Sequence, residues 1–190
     1  MWIPLQHLLD RLSQPKTRAD EVRRLRLRLR EEPASSEVSA EESAASAELL
    51  RLRRALKEAI GQVVSCRTCA IGHPPPHGHF AGGHCCGLVT EDAWNDDEIA
   101  ALRQTGTRPA HLQLPVGDHA GCAFRGPTGC SLSVEHQPNL CVRYLCPDLF
   151  REVYARGDGP RIVALCQEME DVYLRFISLR AERLSKLQEP

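Results

Sequence analysis

The stretch from Ser65 to Gly87 reads SCRTCAIGHPPPHGHFAGGHCCG and places four cysteines and four histidines in 23 residues that are otherwise mostly Gly, Pro and Ala. Eight of the nine cysteines of the chain fall between Cys66 and Cys146, where sustained hydrophobic repeats are few. A segment of this composition buries little apolar surface to offset the entropy lost on ordering. We therefore expect cross-links, rather than a large hydrophobic core, to hold the middle of the chain together.

The compartment decides whether those cross-links are disulfides or metal ions. The N-terminal sequence MWIPLQHLLDRLSQPK has no basic region, and its apolar run is interrupted by Gln6 and His7 with no small-residue cleavage site after it. No run of 18 apolar residues predicts a transmembrane helix. We therefore expect a cytoplasmic protein that does not bind membranes. Disulfides rarely persist there, whereas an exported chain would form four of them with one cysteine left over.

The spacing of the cysteines is typical of metal ligands. Cys66 and Cys69 form a CxxC pair, whose two intervening residues allow a tight turn that points both thiolates at one ion or cluster. Cys85 and Cys86 are adjacent, so their side chains diverge and either bridge two centres or supply one ligand each. The predicted metal ligands are Cys66, Cys69, Cys85, Cys86, Cys122, Cys130, Cys141 and Cys146.

These ligands suit either zinc or an iron–sulfur cluster. Eight thiols make two four-ligand centres, or one polynuclear centre with spare thiols. We favour iron, because adjacent cysteines and Gly-rich surroundings suit a bulky cluster. Structural zinc contributes on the order of 10 kcal/mol to folding in small sites, comparable with the roughly 5–15 kcal/mol net stability of a domain. We therefore expect the middle of the chain to need its metal in order to fold.

Other metal-binding side chains have simpler explanations. Pro74 to Pro76 and the neighbouring glycines favour an exposed loop for the four histidines, among which His84 is the best candidate ligand because it abuts Cys85. His119, three residues before Cys122, is a further candidate. Cys166 lies on an apolar helix face, where a lone cysteine usually behaves as a small buried hydrophobe. The histidines of the loop are His73, His77, His79 and His84.

The same cysteines carry a family resemblance over about residues 64–148. The CxxC and CC pairs resemble the CxxCxxCC signature of the YkgJ-like cysteine-cluster family, and CAFRGPTGC and GCSLSVEHQPNLCVRY resemble its later stretches. The resemblance implies a zinc- or iron-chelating domain. Two departures are fifteen residues between Cys69 and Cys85, where the family usually has two, and Gln137 in place of the usual Arg. The later matching positions are Cys122, Phe124, Gly129, Cys130, Ser131, Glu135, Pro138, Cys141, Arg143 and Tyr144.

Hydrophobic repeats predict helices on the N-terminal side of the cysteines. Residues 2–12 predict a short amphipathic helix, and the Arg-rich run at 18–32 predicts a second, although its two-residue alternation also allows a strand. The strongest repeat predicts a helix over 41–64. The arginines of the run suit either an acidic partner or a solvated face with local ion pairs, and we favour the second. The apolar residues of the strongest repeat are Ala45, Leu49, Leu52, Leu56, Ile60 and Val63.

Two further helices are predicted after the histidine loop. Asn95 and Glu98 have capping-box spacing before DDEIAALRQ, and Gly106 ends that helix. We assign the acidic residues there to a helix N-terminus rather than to a hard-metal site. Asp158 and Pro160 begin the last helix. The acidic residues are Glu91, Asp92, Asp96, Asp97 and Glu98, and the apolar face of the last helix holds Ile162, Leu165, Cys166, Met169, Val172, Tyr173 and Phe176 and continues toward Leu184 and Leu187.

The predicted fold is mainly α, with helices flanking an irregular cysteine-rich metal-binding core and with little strand. Four parts are expected: an N-terminal helical arm and linker (1–40), a leading helix (41–64), a cysteine-cluster metal-binding domain (65–150), and a C-terminal helix that packs on it (158–188).

The expected function is that of a metal-binding module, for binding or for redox chemistry, with a protein partner on the flanking helices. One alternative is a cluster-dependent enzyme, because flagellin lysine methylases resemble the same family, although no Gly-rich fingerprint for S-adenosylmethionine and no CxxxCxxC is present. A zinc-dependent nucleic-acid-binding module is disfavoured by a net charge of −1 and 5% aromatic residues.

Overall fold

The described parts of the chain are mainly helices joined by short irregular segments. The computed structural model describes residues 18–32, 38–66, 90–116, 122–126 and 129–188. The mainly helical prediction is confirmed for these residues, whereas the metal-binding core and the domain bounds stay predictions. The helices are α1 (Arg18–Glu31), α2 (Ala40–Ile60), α3 (Asp96–Gln104), α4 (Asn139–Arg143), α5 (Pro147–Ala155) and α6 (Gly159–Gln188).

The two longest helices, α2 and α6, lie antiparallel. Glu42 near the start of α2 pairs with Arg183 near the end of α6, and Arg51 in the middle of α2 pairs with Glu168. The Ser39 hydroxyl accepts a hydrogen bond from the Glu42 N–H at 3.1 Å and caps α2. The helix ends at Ile60 rather than at the predicted residue 64, because Gly61 adopts a positive φ of 62° that stops the helix.

The apolar faces of α2 and α6 enclose most of what we call the bundle core. Most of the predicted α2 face and the middle of the predicted α6 face are buried there, whereas Leu187, at the end of the predicted α6 face, is 72% exposed. Helices α4 and α5 cover one end. The predicted face residues that are only partly buried against this core are Val63, Leu165, Cys166 and Val172. Ala100 and Ala101 of α3 also reach this core, where their small side chains allow α3 to approach α2 closely. The bundle core consists of Ala45, Leu49, Leu52, Leu56, Ile60, Ala100, Ala101, Val142, Leu149, Val153, Ile162, Met169, Tyr173 and Phe176.

A second cluster, which we call the hairpin core, lies between α1, α3 and a small hairpin. Its largest members, Trp94 and Phe124, have ring centroids 5.5 Å apart. Because Ile99 and Leu102 of α3 belong to this cluster, α3 joins the two cores. The hairpin core consists of Val22, Leu25, Leu29, Ala93, Trp94, Ile99, Leu102, Leu112, Ala123, Phe124 and Leu132.

Strand content in the described ranges is small, as predicted. Strands β1 (Arg125–Gly126) and β2 (Gly129–Cys130) are antiparallel, with Arg125 opposite Cys130. Short 3-10 helices connect the other elements at Thr90–Ala93, Pro109–His111 and Val134–His136.

Helices α1, α3 and α6 confirm the sequence prediction, with α1 helical rather than a strand. Asn95 caps α3 by accepting from the Glu98 N–H at 2.8 Å. The Glu98 side chain does not return to Asn95 as a capping box would; it is buried and binds α4 instead. The helix predicted at 2–12 and residues 33–37 of the linker lie outside the described residues.

Two arginines near the C-terminal end of α6 form ion pairs with other elements of the protein. Arg183 donates to both oxygens of the fully buried Glu42 carboxylate, at 2.7 and 3.1 Å. Arg180 pairs with Asp97 of α3 and with Glu32, which follows α1. The end of α6 is thus connected to α2, to α3 and to the residue that follows α1. No described helix is both long and apolar enough to cross a membrane.

Candidate metal centre

Five of the eight predicted ligands lie in described residues, and the structure distributes them over the surfaces of both cores. Cys122 and Cys141 pack against the hairpin core, whereas Cys146 packs against the bundle core. Cys66 and Cys130 are exposed. The predicted ligands outside the described residues are Cys69, Cys85 and Cys86, together with the candidates His84 and His119 and the other histidines of the predicted loop, His73, His77 and His79.

Cys122 precedes a tightly hydrogen-bonded turn. Its carbonyl oxygen accepts from the Arg125 N–H at 3.0 Å and from the Arg18 guanidinium at 3.2 Å. The Ser131 N–H donates to the Phe124 carbonyl at 2.8 Å and closes the hairpin. The turn places Phe124 in the hairpin core and leaves Cys122 half-buried at its edge.

Cys141 is carried by α4, which a buried carboxylate anchors. Glu98 accepts from the backbone N–H and the side-chain amide of Asn139, each at 2.9 Å, and from the Leu140 N–H at 3.3 Å. Burial raises the pKa of Glu98 to about 7, although these N–H groups and the charge of Arg53 act in the opposite direction. Glu98 therefore fixes the position of the segment two residues before Cys141.

Arg53 lies fully buried between α2 and the segment that leads into α4. It donates to the Thr105 hydroxyl at 3.0 Å and to the Gln137 carbonyl at 3.4 Å. Burial lowers its pKa to about 10, so it remains a cation at neutral pH and compensates the charge of nearby Glu98. Gln137, the position that departs from the family pattern, is held here through its backbone.

Cys146 caps α5. Its sulfur accepts from the Leu149 N–H at 3.4 Å, and Pro147 occupies the first turn, where its missing N–H costs nothing. N–H donors on a ligating sulfur are among the groups that tune a metal centre. Cys166 instead donates its S–H to the Arg143 carbonyl at 3.3 Å, and burial raises the pKa of its thiol, which opposes ligation.

The approach to Cys66 is fixed to α5. One carboxylate, that of Glu152, accepts from the Val64 N–H at 2.8 Å and from the Ser65 N–H at 2.9 Å. Arg156 donates to the carbonyls of Ile60 and Gln62 at 2.6 and 2.9 Å. The start of the predicted CxxC pair is thereby held at one end of the bundle.

The described chain resumes at Thr90, after the histidine-rich segment, in contact with the Cys122 turn. The Thr90 hydroxyl accepts from the Ala123 N–H at 2.8 Å and donates to the buried carboxylate of Glu21 at 2.6 Å. Thr90 is therefore adjacent to the residue that follows Cys122.

Of the five acidic residues assigned to a helix N-terminus, Asp96, Asp97 and Glu98 lie in the first turn of α3, and their side chains also have partners within the protein. Asp96 pairs with Arg28 and Asp97 with Arg180, while Glu98 anchors α4. The side chains of Glu91 and Asp92 are outside the described set. Sequence reasoning missed Glu21, Thr90 and Glu152, because their partners lie 33 to 88 residues away along the chain and no local pattern signals them.

Two histidines outside the cysteine cluster stack on each other. The rings of His111 and His136 are 4.0 Å apart and 13° from parallel. An imidazole binds metal in the plane of its ring, so two parallel rings do not share one ion. The Arg108 N–H donates to Nδ1 of His111, and Thr107 contacts Nδ1 of His136. The stack thus connects two 3-10 helices.

Within the described ranges, no three Cys, His, Asp or Glu side chains are grouped so as to hold a metal ion, and no disulfide joins two of the six described cysteines. Scans against protein-family models, curated proteins and solved structures find no match to this chain. The resemblance to the YkgJ-like family therefore rests on the motif residues quoted above.

Proposed function

We propose that this protein is a metal-binding cysteine-cluster module in which an iron–sulfur cluster or zinc holds the irregular segments against the helical bundle. The donors are the eight cysteines from Cys66 to Cys146. Their thiolates are soft ligands of the kind that zinc and iron–sulfur clusters require, so the donor chemistry fits either group. We keep the preference for iron that the adjacent Cys85 and Cys86 suggest.

One observation carries the proposal: the contact of Thr90 with Ala123. Cys86 precedes Thr90 by four residues, and four extended residues span at most about 14 Å. Cys122 is adjacent to Ala123. Chain length alone therefore keeps the Cys85–Cys86 pair within reach of Cys122, although 35 residues separate Cys86 from Cys122.

A second feature supports the proposal in preference to nucleic-acid binding. Arginines of α1 are engaged within the protein: Arg26 donates twice to the Leu112 carbonyl, at 2.6 and 3.1 Å, and Arg28 pairs with Asp96. Arg23 pairs with Asp20 on its own helix. A basic surface for phosphates would instead leave several arginines directed outward together.

The test is a comparison of cysteine variants purified without oxygen. Iron, zinc and acid-labile sulfide per chain are measured with the visible absorption spectrum. Cys122→Ser and Cys141→Ser should lose at least half of the metal. Cys166→Ser is the matched control, because it removes a half-buried thiol that bonds a backbone carbonyl, and it should keep the wild-type content.

The metal content of the wild-type protein distinguishes an iron–sulfur cluster from structural zinc. Brown wild-type protein with iron and sulfide identifies a cluster and directs attention to electron transfer or catalysis. Colourless protein with one or two zinc ions identifies a structural module, whose function is to bind a partner through the flanking helices. Wild-type protein without either metal, or equal metal loss in Cys166→Ser, contradicts the proposal.

A further inference from the structure

Helix α1 lies outside the stretch that resembles the YkgJ-like family, yet two of its side chains reach into the neighbourhood of Cys122. Glu21 is 6% exposed and Thr90, its partner, is 1% exposed. A carboxylate buried to this degree is costly unless hydrogen bonds satisfy it. Its position therefore requires an explanation beyond the packing of α1.

The hydrogen bonds form a short relay. The Ala123 N–H donates to the Thr90 hydroxyl at 2.8 Å, and that hydroxyl donates its own proton to Glu21 Oε2 at 2.6 Å. Both bonds are buried, where the low dielectric strengthens them and makes a missing partner expensive. The relay therefore fixes Thr90 and Ala123 relative to α1.

A second contact from the same helix fixes the other side of Cys122. One turn before Glu21, Arg18 donates to the Cys122 carbonyl at 3.2 Å. The carbonyl oxygen of Cys122 and the N–H of Ala123 belong to the same peptide unit. Helix α1 thus binds the carbonyl of this peptide unit directly through Arg18 and its N–H indirectly, through Thr90.

From this geometry we infer that Thr90 and Glu21 are positioning residues for the metal centre, and that α1 controls how slowly the centre releases its metal. The inference rests on the proposed function. Thr90 connects the segment carrying Cys85 and Cys86 to the turn carrying Cys122. Loss of the relay separates these two groups of ligands without removing any thiol.

The test compares Thr90→Val with Thr90→Ser in the full chain. Valine has nearly the shape of threonine but forms neither bond of the relay, whereas serine keeps the hydroxyl. Anaerobically purified protein is mixed with excess chromophoric chelator, 4-(2-pyridylazo)resorcinol for zinc or bathophenanthroline for iron, and the half-time of metal transfer is followed by absorbance. We expect about tenfold faster transfer from Thr90→Val and less than a twofold change in Thr90→Ser.

Two further variants separate positioning from a general loss of stability. Ile162→Val removes one methylene group from the bundle core, away from the relay, and should leave the transfer rate unchanged although the protein is less stable. Glu21→Gln keeps an oxygen acceptor for Thr90 without the charge, and should fall between the Ser and Val variants. It also serves as the test if Thr90→Val does not fold.

Failure of the inference and failure of the proposed function give different results. If the wild-type chain holds metal and Thr90→Val and Glu21→Gln release it no faster than Thr90→Ser, the inference is wrong and the metal centre stands. Equal acceleration in Ile162→Val also overturns it. If the wild-type chain holds no metal, both fail.

Discussion

The two cores are built from different kinds of sequence. The bundle core is formed mainly by regularly spaced apolar residues on long helices, although α2 also buries two charged side chains, Arg53 and Glu42, the second of which pairs with Arg183. The hairpin core has short elements, and Glu21, Thr90 and Arg125 are buried in or beside it. Helical periodicity specifies the two long helices that form most of the first core. The second depends on long-range polar contacts and, in our proposal, on metal.

The largest effect on the free energy of unfolding is expected from truncating one buried leucine in each core. Leu52 and Leu25 are both fully buried, one in each core. Each change to alanine should lower the free energy of unfolding by about 3 kcal/mol, from lost burial and the remaining cavity. Urea titration followed by circular dichroism measures the loss.

The two truncations should differ in metal retention. Leu25→Ala loosens the hairpin core beside Cys122 and Cys141, so metal transfer to a chelator should accelerate, whereas Leu52→Ala should leave the transfer rate unchanged. Equal acceleration in both variants would mean that the two cores form one cooperative unit with respect to metal.

The buried Glu98, which belongs to the helix shared by the two cores, makes the free energy of unfolding depend on pH. Its folded pKa of about 7 lies above the ordinary value of 4.5, so the folded chain binds this proton more tightly than the unfolded chain. The contribution of Glu98 to the free energy of unfolding therefore falls as the pH rises from about 4.5 to 7. Glu98→Gln removes this loss while keeping an acceptor oxygen for α4.

Relative to the wild type, Glu98→Gln should thus gain about 1–3 kcal/mol between pH 5 and pH 8. Urea midpoints of both proteins at several pH values measure the gain. A difference between the two proteins that does not change with pH would show that Glu98 is ionised throughout the range.

The smallest effect on the free energy of unfolding is expected from Asn95, which lies where α3 contacts α6. Its side-chain oxygen accepts from the Glu98 N–H at 2.8 Å and from the Tyr173 hydroxyl at 3.2 Å, so it connects α3 to α6. Asn95→Ala should lower the free energy of unfolding by about 1 kcal/mol through the lost cap. Asn95→Asp keeps the acceptor and is the control; an equal loss in both variants would assign the effect to something other than the cap.

The parts of the fold predicted from sequence are those whose signal is local. Repeats of three and four residues predicted α2 and α6, and the Asn95 cap predicted the start of α3. Helices α4 and α5 were missed, because α4 has only five residues and Cys146 was interpreted as a metal ligand rather than as the cap of a helix.

The candidate centre was predictable only as a set of residue types. Cysteine spacing identified which thiols to test, but not that Cys122 and Cys141 lie against one core and Cys146 against the other. The contacts that place these segments involve Glu21, Glu98 and Glu152. Each acts on a partner at least 41 residues away, a distance at which periodicity carries no information.

Amide hydrogen exchange of metal-loaded and metal-stripped protein, measured by mass spectrometry without oxygen, tests the dependence of the hairpin core on metal most directly. We predict that stripping removes protection from peptides covering residues 90–94, 122–126 and 129–143, while peptides from α2 and α6 keep theirs. Equal protection of the hairpin core with and without metal, or loss of protection throughout the bundle, would contradict the account.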